Sequence, residues 1–73
     1  MSEVTYKGYR IKLRSRPNSS GMWEPRAMVW WHEDDMSIYE PISGGELQAS
    51  ETLADALALK RAKAWVDGKE KAV

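Results

Sequence analysis

The clearest pattern along the chain is an alternation of apolar and polar positions beginning at residue 9. Tyr9, Ile11 and Leu13 alternate with Arg10, Lys12 and Arg14, and a period of two marks a strand with one buried face. Just upstream, Val4-Thr5-Tyr6 predicts a short first strand, separated from the second by a tight turn at Lys7-Gly8. Gly8 can take the positive φ that such a turn needs. Arg16-Pro17-Asn18-Ser19-Ser20-Gly21 is dense in turn formers and closes the second strand.

The next strand is expected from about Met22 to His32. One of its faces carries Trp23, Ala27, Val29 and Trp31, the other Glu24, Arg26, Met28 and Trp30. Pro25 cannot donate to a ladder, so that end is expected to be an edge or a bulge. Glu33-Asp34-Asp35 reads as an acidic turn. A third long strand follows from Met36 to Ile42, with Met36 and Ile38 alternating with Ser37 and Tyr39, stopped by Pro41 and Ser43-Gly44-Gly45.

From Leu53 to Asp67 the residues are strong helix formers, and the helix is expected to begin between Ser50 and Thr52. Thr52 with Asp55 resembles a capping box. At 100° per residue, Ala54, Leu57, Ala58, Ala62 and Trp65 share one stripe, with Lys60, Lys63 and Asp67 opposite. Gly68 is the expected C-cap, and a tail from about 69 to 73 is expected to fray. The elements together predict an α+β fold. It is a three- to four-stranded antiparallel β-meander with one C-terminal α-helix packed on one face, a single domain over residues 1–73.

Composition narrows the chemistry. At 73 residues there is room for one core, and a chain this short buries only about 60% of its unfolded surface. With no cysteine and one histidine, neither a disulfide nor a zinc site is expected, so stability must come from packing or self-association. No cofactor is expected. No apolar run approaches the ~20 residues of a membrane span, and the N-terminus lacks the layout of a signal peptide. A cytoplasmic location without a membrane partner is expected, and Asn18-Ser19-Ser20, which matches a glycosylation acceptor, reads as a turn.

Eleven basic and eleven acidic residues cancel, but they are sorted along the chain. Residues 1–26 hold six basic against two acidic; residues 27–55 hold seven acidic and no basic; residues 56–73 hold five basic against two acidic. Sorted charge speaks of surfaces and partners rather than of fold.

No catalytic constellation emerges. His32 beside Glu33 and Asp34 has the composition of an acid–base pair, but an exposed histidine in a polar turn is the favoured reading. Three adjacent acids in a two-strand turn do not converge on a cation. Ser43-Gly44-Gly45 is too short for a phosphate-binding loop. The chain is therefore read as a non-enzyme.

The polar strand face offers more. Arg10, Lys12 and Arg14 line one face of the second strand, Arg26, Met28 and Trp30 the matching face of the next, and Tyr39 joins from the third. Cations interleaved with aromatic rings on an open sheet suit single-stranded nucleic acid, whose phosphates meet the cations and whose bases stack on the rings. A solvated antiparallel face also accounts for the charges, but it accounts less well for the tryptophans. Trp30 and Trp31 are adjacent on one strand and must point to opposite faces. One helix covers only one of them, which leaves Trp30 with Met28 on the open face, as a contact surface would have it.

Tyr6-Lys7-Gly8-Tyr9 leading into a strand, a central Trp/Arg strand and a helix ending Ala62-Lys63-Ala64-Trp65-Val66-Asp67 resemble small uncharacterised bacterial proteins of ββ(β)α layout. That resemblance implies a fold rather than an activity. A fainter similarity is to the double-stranded-RNA-binding-like domain of HicB-type antitoxins, whose Gly-Asp/Ser-Thr-x-Glu-Glu-Ala helix start is replaced here by Ala49-Ser50-Glu51-Thr52-Leu53-Ala54. The functional expectation is a non-catalytic interaction module acting through the open face, toward a protein partner or a second copy of itself. Single-stranded nucleic acid is the alternative ligand.

Overall fold

In the computed structural model, which describes residues 3–71, the chain forms six strands and one helix. They are β1 (Glu3–Tyr6), β2 (Tyr9–Leu13), β3 (Arg16–Pro17), β4 (Trp23–Glu24), β5 (Arg26–Glu33), β6 (Met36–Ser43) and α1 (Glu51–Lys71). Strands β1, β2, β5 and β6 lie side by side in that order as an antiparallel meander; β3 and β4 pair as a separate two-stranded ribbon. The helix packs against the larger sheet, mainly on β5 and β2, so the architecture is the α+β arrangement expected from the periodicity.

Two tight turns set the register. Lys7 and Gly8 have φ of 51° and 84°, and Asp34 and Asp35 have φ of 50° and 65°. Consecutive positive φ values are those of type I′ turns, whose twist matches the flanking strands. Asp tolerates this conformation better than most residues, so the acidic turn has a backbone reason besides its charge. The registers that follow place Tyr6 opposite Tyr9, Arg10 opposite Trp30, and Trp30 opposite Tyr39.

Several boundaries differ from the expectation, each for a local reason. The strand expected over Met22 to His32 is broken at Pro25, which is buried between β4 and β5 and has no N–H to offer a ladder. Arg16 and Pro17 are paired with Glu24 and Trp23 rather than turning. The turn itself is Asn18 to Gly21, where the Asn18 side-chain oxygen accepts from the Ser20 and Met22 amides, each at 3.0 Å. Pro41 does not stop the last strand, which runs on to Ser43. β6 is an edge strand, so a residue without an N–H is tolerated there.

Ser50 caps the helix: its hydroxyl accepts from the Leu53 amide at 3.2 Å, and Thr52 and Asp55 form no box. Gly68 is not the C-cap, since α1 continues through Lys71. The extra turn carries Lys69, whose ammonium lies 4.7 Å from the centre of the Trp31 ring and 5.8 Å from that of Trp65. Residues 69–71 of the tail expected to fray are helical, and residues 72–73 lie outside the described residues.

The core is made of small and branched side chains. Ile11, Ala27 and Val29 from the sheet meet Ala58, Ala62 and Val66 from the helix, all buried, with Ala54 buried one turn earlier. Alanines let helix and sheet approach closely. The buried helix positions 54, 58, 62 and 66 are four apart, so the contact line drifts by about 40° per step around the helix. That drift buries Val66 rather than Trp65, and it brings Lys63 and Asp67, expected on the solvent side, to the β1–β2 hairpin. Trp65 is half-buried and sits 5.6 Å, ring to ring, from Trp31, which in turn lies 5.3 Å from Tyr9.

Asp67 closes this end of the layer. It accepts from the Lys7 ammonium at 2.7 Å and from the Tyr6 hydroxyl at 2.9 Å. These donors, Lys7 first and Tyr6 second, hold its carboxyl below the usual aspartate range. In return the hydrogen bonds to Asp67 raise the pKa values of both Lys7 and Tyr6.

Candidate functional site: the open face of the sheet

The side chains of β2, β5 and β6 that alternate with the buried positions form the face away from α1. Arg10 and Lys12 flank buried Ile11, and Arg26, Met28 and Trp30 alternate with buried Ala27 and Val29. Tyr39 lies opposite Trp30 on β6. Arg14 continues the row beyond β2, its amide donating to the Arg26 carbonyl at 2.8 Å. The seven residues singled out from the sequence, Arg10, Lys12, Arg14, Arg26, Met28, Trp30 and Tyr39, thus share one face of the sheet.

Cross-strand rows define the geometry. In one row the Arg10 guanidinium carbon lies 4.8 Å from the Trp30 ring centre, and the Trp30 and Tyr39 rings are 6.0 Å apart and inclined by 25°. Because β2 and β6 flank β5, Arg10 and Tyr39 stand on opposite sides of Trp30. His32 meets the indole edge-on at 5.6 Å, and its Nδ1 is 3.2 Å from the Ser37 hydroxyl. Trp30 is therefore half-buried by its own neighbours, while Tyr39 at the sheet edge is 58% exposed. In the next row Lys12, Met28 and Pro41 stand side by side.

The acidic residues of the middle segment stay off this face. Glu40 lies opposite Val29 on the helix side, and Glu33 accepts there from the Trp31 indole N–H at 3.0 Å. Asp34 and Asp35 occupy the β5–β6 turn, Glu46 the loop after β6, and Glu51 and Asp55 the helix. The carboxylates at open-face positions come from elsewhere: Glu3 opposite Lys12, and Glu24, whose oxygen is 3.3 Å from the Arg26 guanidinium.

At the corner where β2 leaves the sheet, the face deepens into a cavity of about 410 Å³ lined by Arg14, Arg16, Arg26, Met28, Pro41 and Ile42 among others. Arg16 falls in the segment expected to turn. Its signal was nonetheless present, since it extends the row Arg10, Lys12, Arg14 by one more step of two. Pro17 obscured it. Among the described residues, no group of three or more histidine and carboxylate side chains is arranged to hold a metal ion, and no helix is long and apolar enough to cross a membrane. Comparisons with protein-family models, curated proteins and solved structures find no match for this chain.

Proposed function

We propose that this domain is a non-catalytic interaction module whose open sheet face docks an acidic segment of a protein partner. The observation that carries this reading is the charge asymmetry of the sheet: Arg10, Lys12, Arg14 and Arg26 stand on the open side, and the seven acidic residues of 27–55 stand elsewhere. A cationic field of one sign steers an acidic partner and sets its register. Tyr39 and Met28 supply the apolar contact that a docked chain needs.

Self-association through the same face is less favoured on charge, because a two-fold axis would set the cationic row against its own copy. Binding of single-stranded nucleic acid is the second reading. It gains from the placement of the acidic residues, which removes the repulsion that phosphates would otherwise meet. It loses from Trp30, which Arg10 and Tyr39 partly cover from either side, leaving Tyr39 as the more open stacking surface.

The test is tryptophan fluorescence of the full chain titrated with a short poly-glutamate peptide and, in parallel, with oligo-thymidylate, alongside light scattering of the protein alone. The expected result is a salt-sensitive response to poly-glutamate that is weakened in the Arg10→Gln/Lys12→Gln variant. Tighter binding of oligo-thymidylate replaces the first reading with the second, and a dimer in light scattering that persists at high salt replaces both with self-association. No response to either probe at low salt would sink the docking proposal.

A further inference from the structure

The corner cavity has a chemistry of its own. Arg14 and Arg16 are exposed, and among the described residues neither side chain makes an ion pair or a hydrogen bond to a protein group. The Arg26 guanidinium is held by Glu24 through one terminal nitrogen at 3.3 Å, while its Nε is buried without a hydrogen-bond partner. Three guanidiniums and one carboxylate leave two positive charges around a single cavity.

Guanidinium groups offer paired N–H donors in a plane, a geometry matched to phosphate and carboxylate oxygens. Two surplus charges match a phosphate monoester, which carries about −1.5 to −2 at neutral pH, better than a monoanion. The rest of the lining is mostly apolar: Met28 and Pro41 form a wall that continues into the open face, and Ala27, Ile42 and Ser43 complete it. At about 410 Å³ the cavity is much larger than a bare phosphate ion, and its size falls in the range of small-molecule sites.

We infer that this cavity binds a small molecule carrying a phosphate monoester on an apolar or aromatic body. The phosphate sits among the guanidiniums of Arg14, Arg16 and Arg26, while the organic body lies against Met28 and Pro41. This site shares Arg14, Arg26 and Met28 with the docking face, but it adds Arg16 and leaves out Arg10, Lys12, Trp30 and Tyr39.

The experiment is an NMR titration of the ¹⁵N-labelled full chain with phenyl phosphate, phenyl sulfate and inorganic phosphate, following the Arg26 Nε–H and the Met28 and Ile42 amides. Phenyl phosphate is expected to produce saturable shifts at all three, with affinity at least about fivefold above either comparison ion. The Arg14→Gln/Arg16→Gln variant, altered at exposed positions, should weaken it by about tenfold or more. Lys60→Gln, which removes one positive charge from the exposed side of the helix, should leave it unchanged. Absence of saturation up to about 10 mM overturns the site. Equal binding of phenyl sulfate overturns the dianion assignment, and equal binding of inorganic phosphate overturns the role of the apolar wall. A phosphotyrosine peptide that binds about tenfold tighter than phenyl phosphate transfers the site to a protein partner and overturns the small-molecule assignment. Since poly-glutamate docking is read through Arg10 and Lys12, either proposal can fail while the other stands.

Discussion

The two faces of the meander are written by the same strands, residue by alternate residue, and they solve opposite problems. On the helix side the buried positions are Ile11, Val29, Val66 and small alanines, and no charged or polar residue is buried among the described residues. On the open side the residues are long and cationic or aromatic, and they cover one another only in part. Small side chains make the covered face stable because they let the helix come close. Large ones make the open face a surface. The adjacent pair Trp30 and Trp31, both half-buried, shows the difference within two residues: Trp31 packs against Trp65 and Lys69 of the helix as well as Tyr9, and Trp30 is braced only by its neighbours on the sheet.

The largest expected effect tests the covered face. Ile11→Ala removes a fully buried side chain between helix and sheet, and should cost about 3 kcal/mol, with a cavity left behind. Urea unfolding with an unchanged slope would register it. In a domain of this size such a loss consumes much of the total stability.

A smaller effect is expected on the other side. Tyr39→Ala removes an exposed ring and one member of the Trp30 stack, and should cost less than about 1 kcal/mol in the same urea experiment. If it costs as much as Ile11→Ala, the open face is a second core and the contrast drawn here breaks.

The smallest effect concerns the edge of the covered face. Asp67 is held below its usual range by Lys7 and Tyr6, so its contribution is present above the unfolded aspartate pKa and is lost as pH falls through the depressed folded value. Lys7 and Tyr6 are raised, so their contributions are present below their unfolded values and are lost as pH rises through the folded ones. The difference in melting temperature between the parent chain and Asp67→Asn should therefore be flat near neutral pH and shrink in both acid and alkali. The groups are solvent-exposed, and salt should reduce the difference further.

Much of this was legible in the residues themselves. The alternation from Tyr9 to Arg14 assigned each side chain of β2 to a face, and the adjacency of Trp30 and Trp31 required one of them to be left uncovered. Those inferences needed only the period of a strand. The errors came where a local preference met its surroundings. Pro41 breaks a ladder in general, but at a sheet edge it does not have to supply a hydrogen bond. Gly68 ends helices in general, but here the following turn is held by Lys69 over two indoles.

By itself, the sequence determined the order of the meander strands and the helix, the two tight turns and the face on which each residue of β2 and β5 lies. These follow from short-range geometry: a period of two, a positive φ, a run of helix formers. Only the tertiary structure decided that the helix stripe ends on Val66 rather than Trp65, because the contact line drifts around the helix as it crosses the sheet. Only it brought Arg16 beside Arg14 and Arg26, residues two and ten positions away along the chain. The turn after Pro17 and the break at Pro25 fold that corner into a cavity, and no periodicity along the chain records where two interrupted strands will meet.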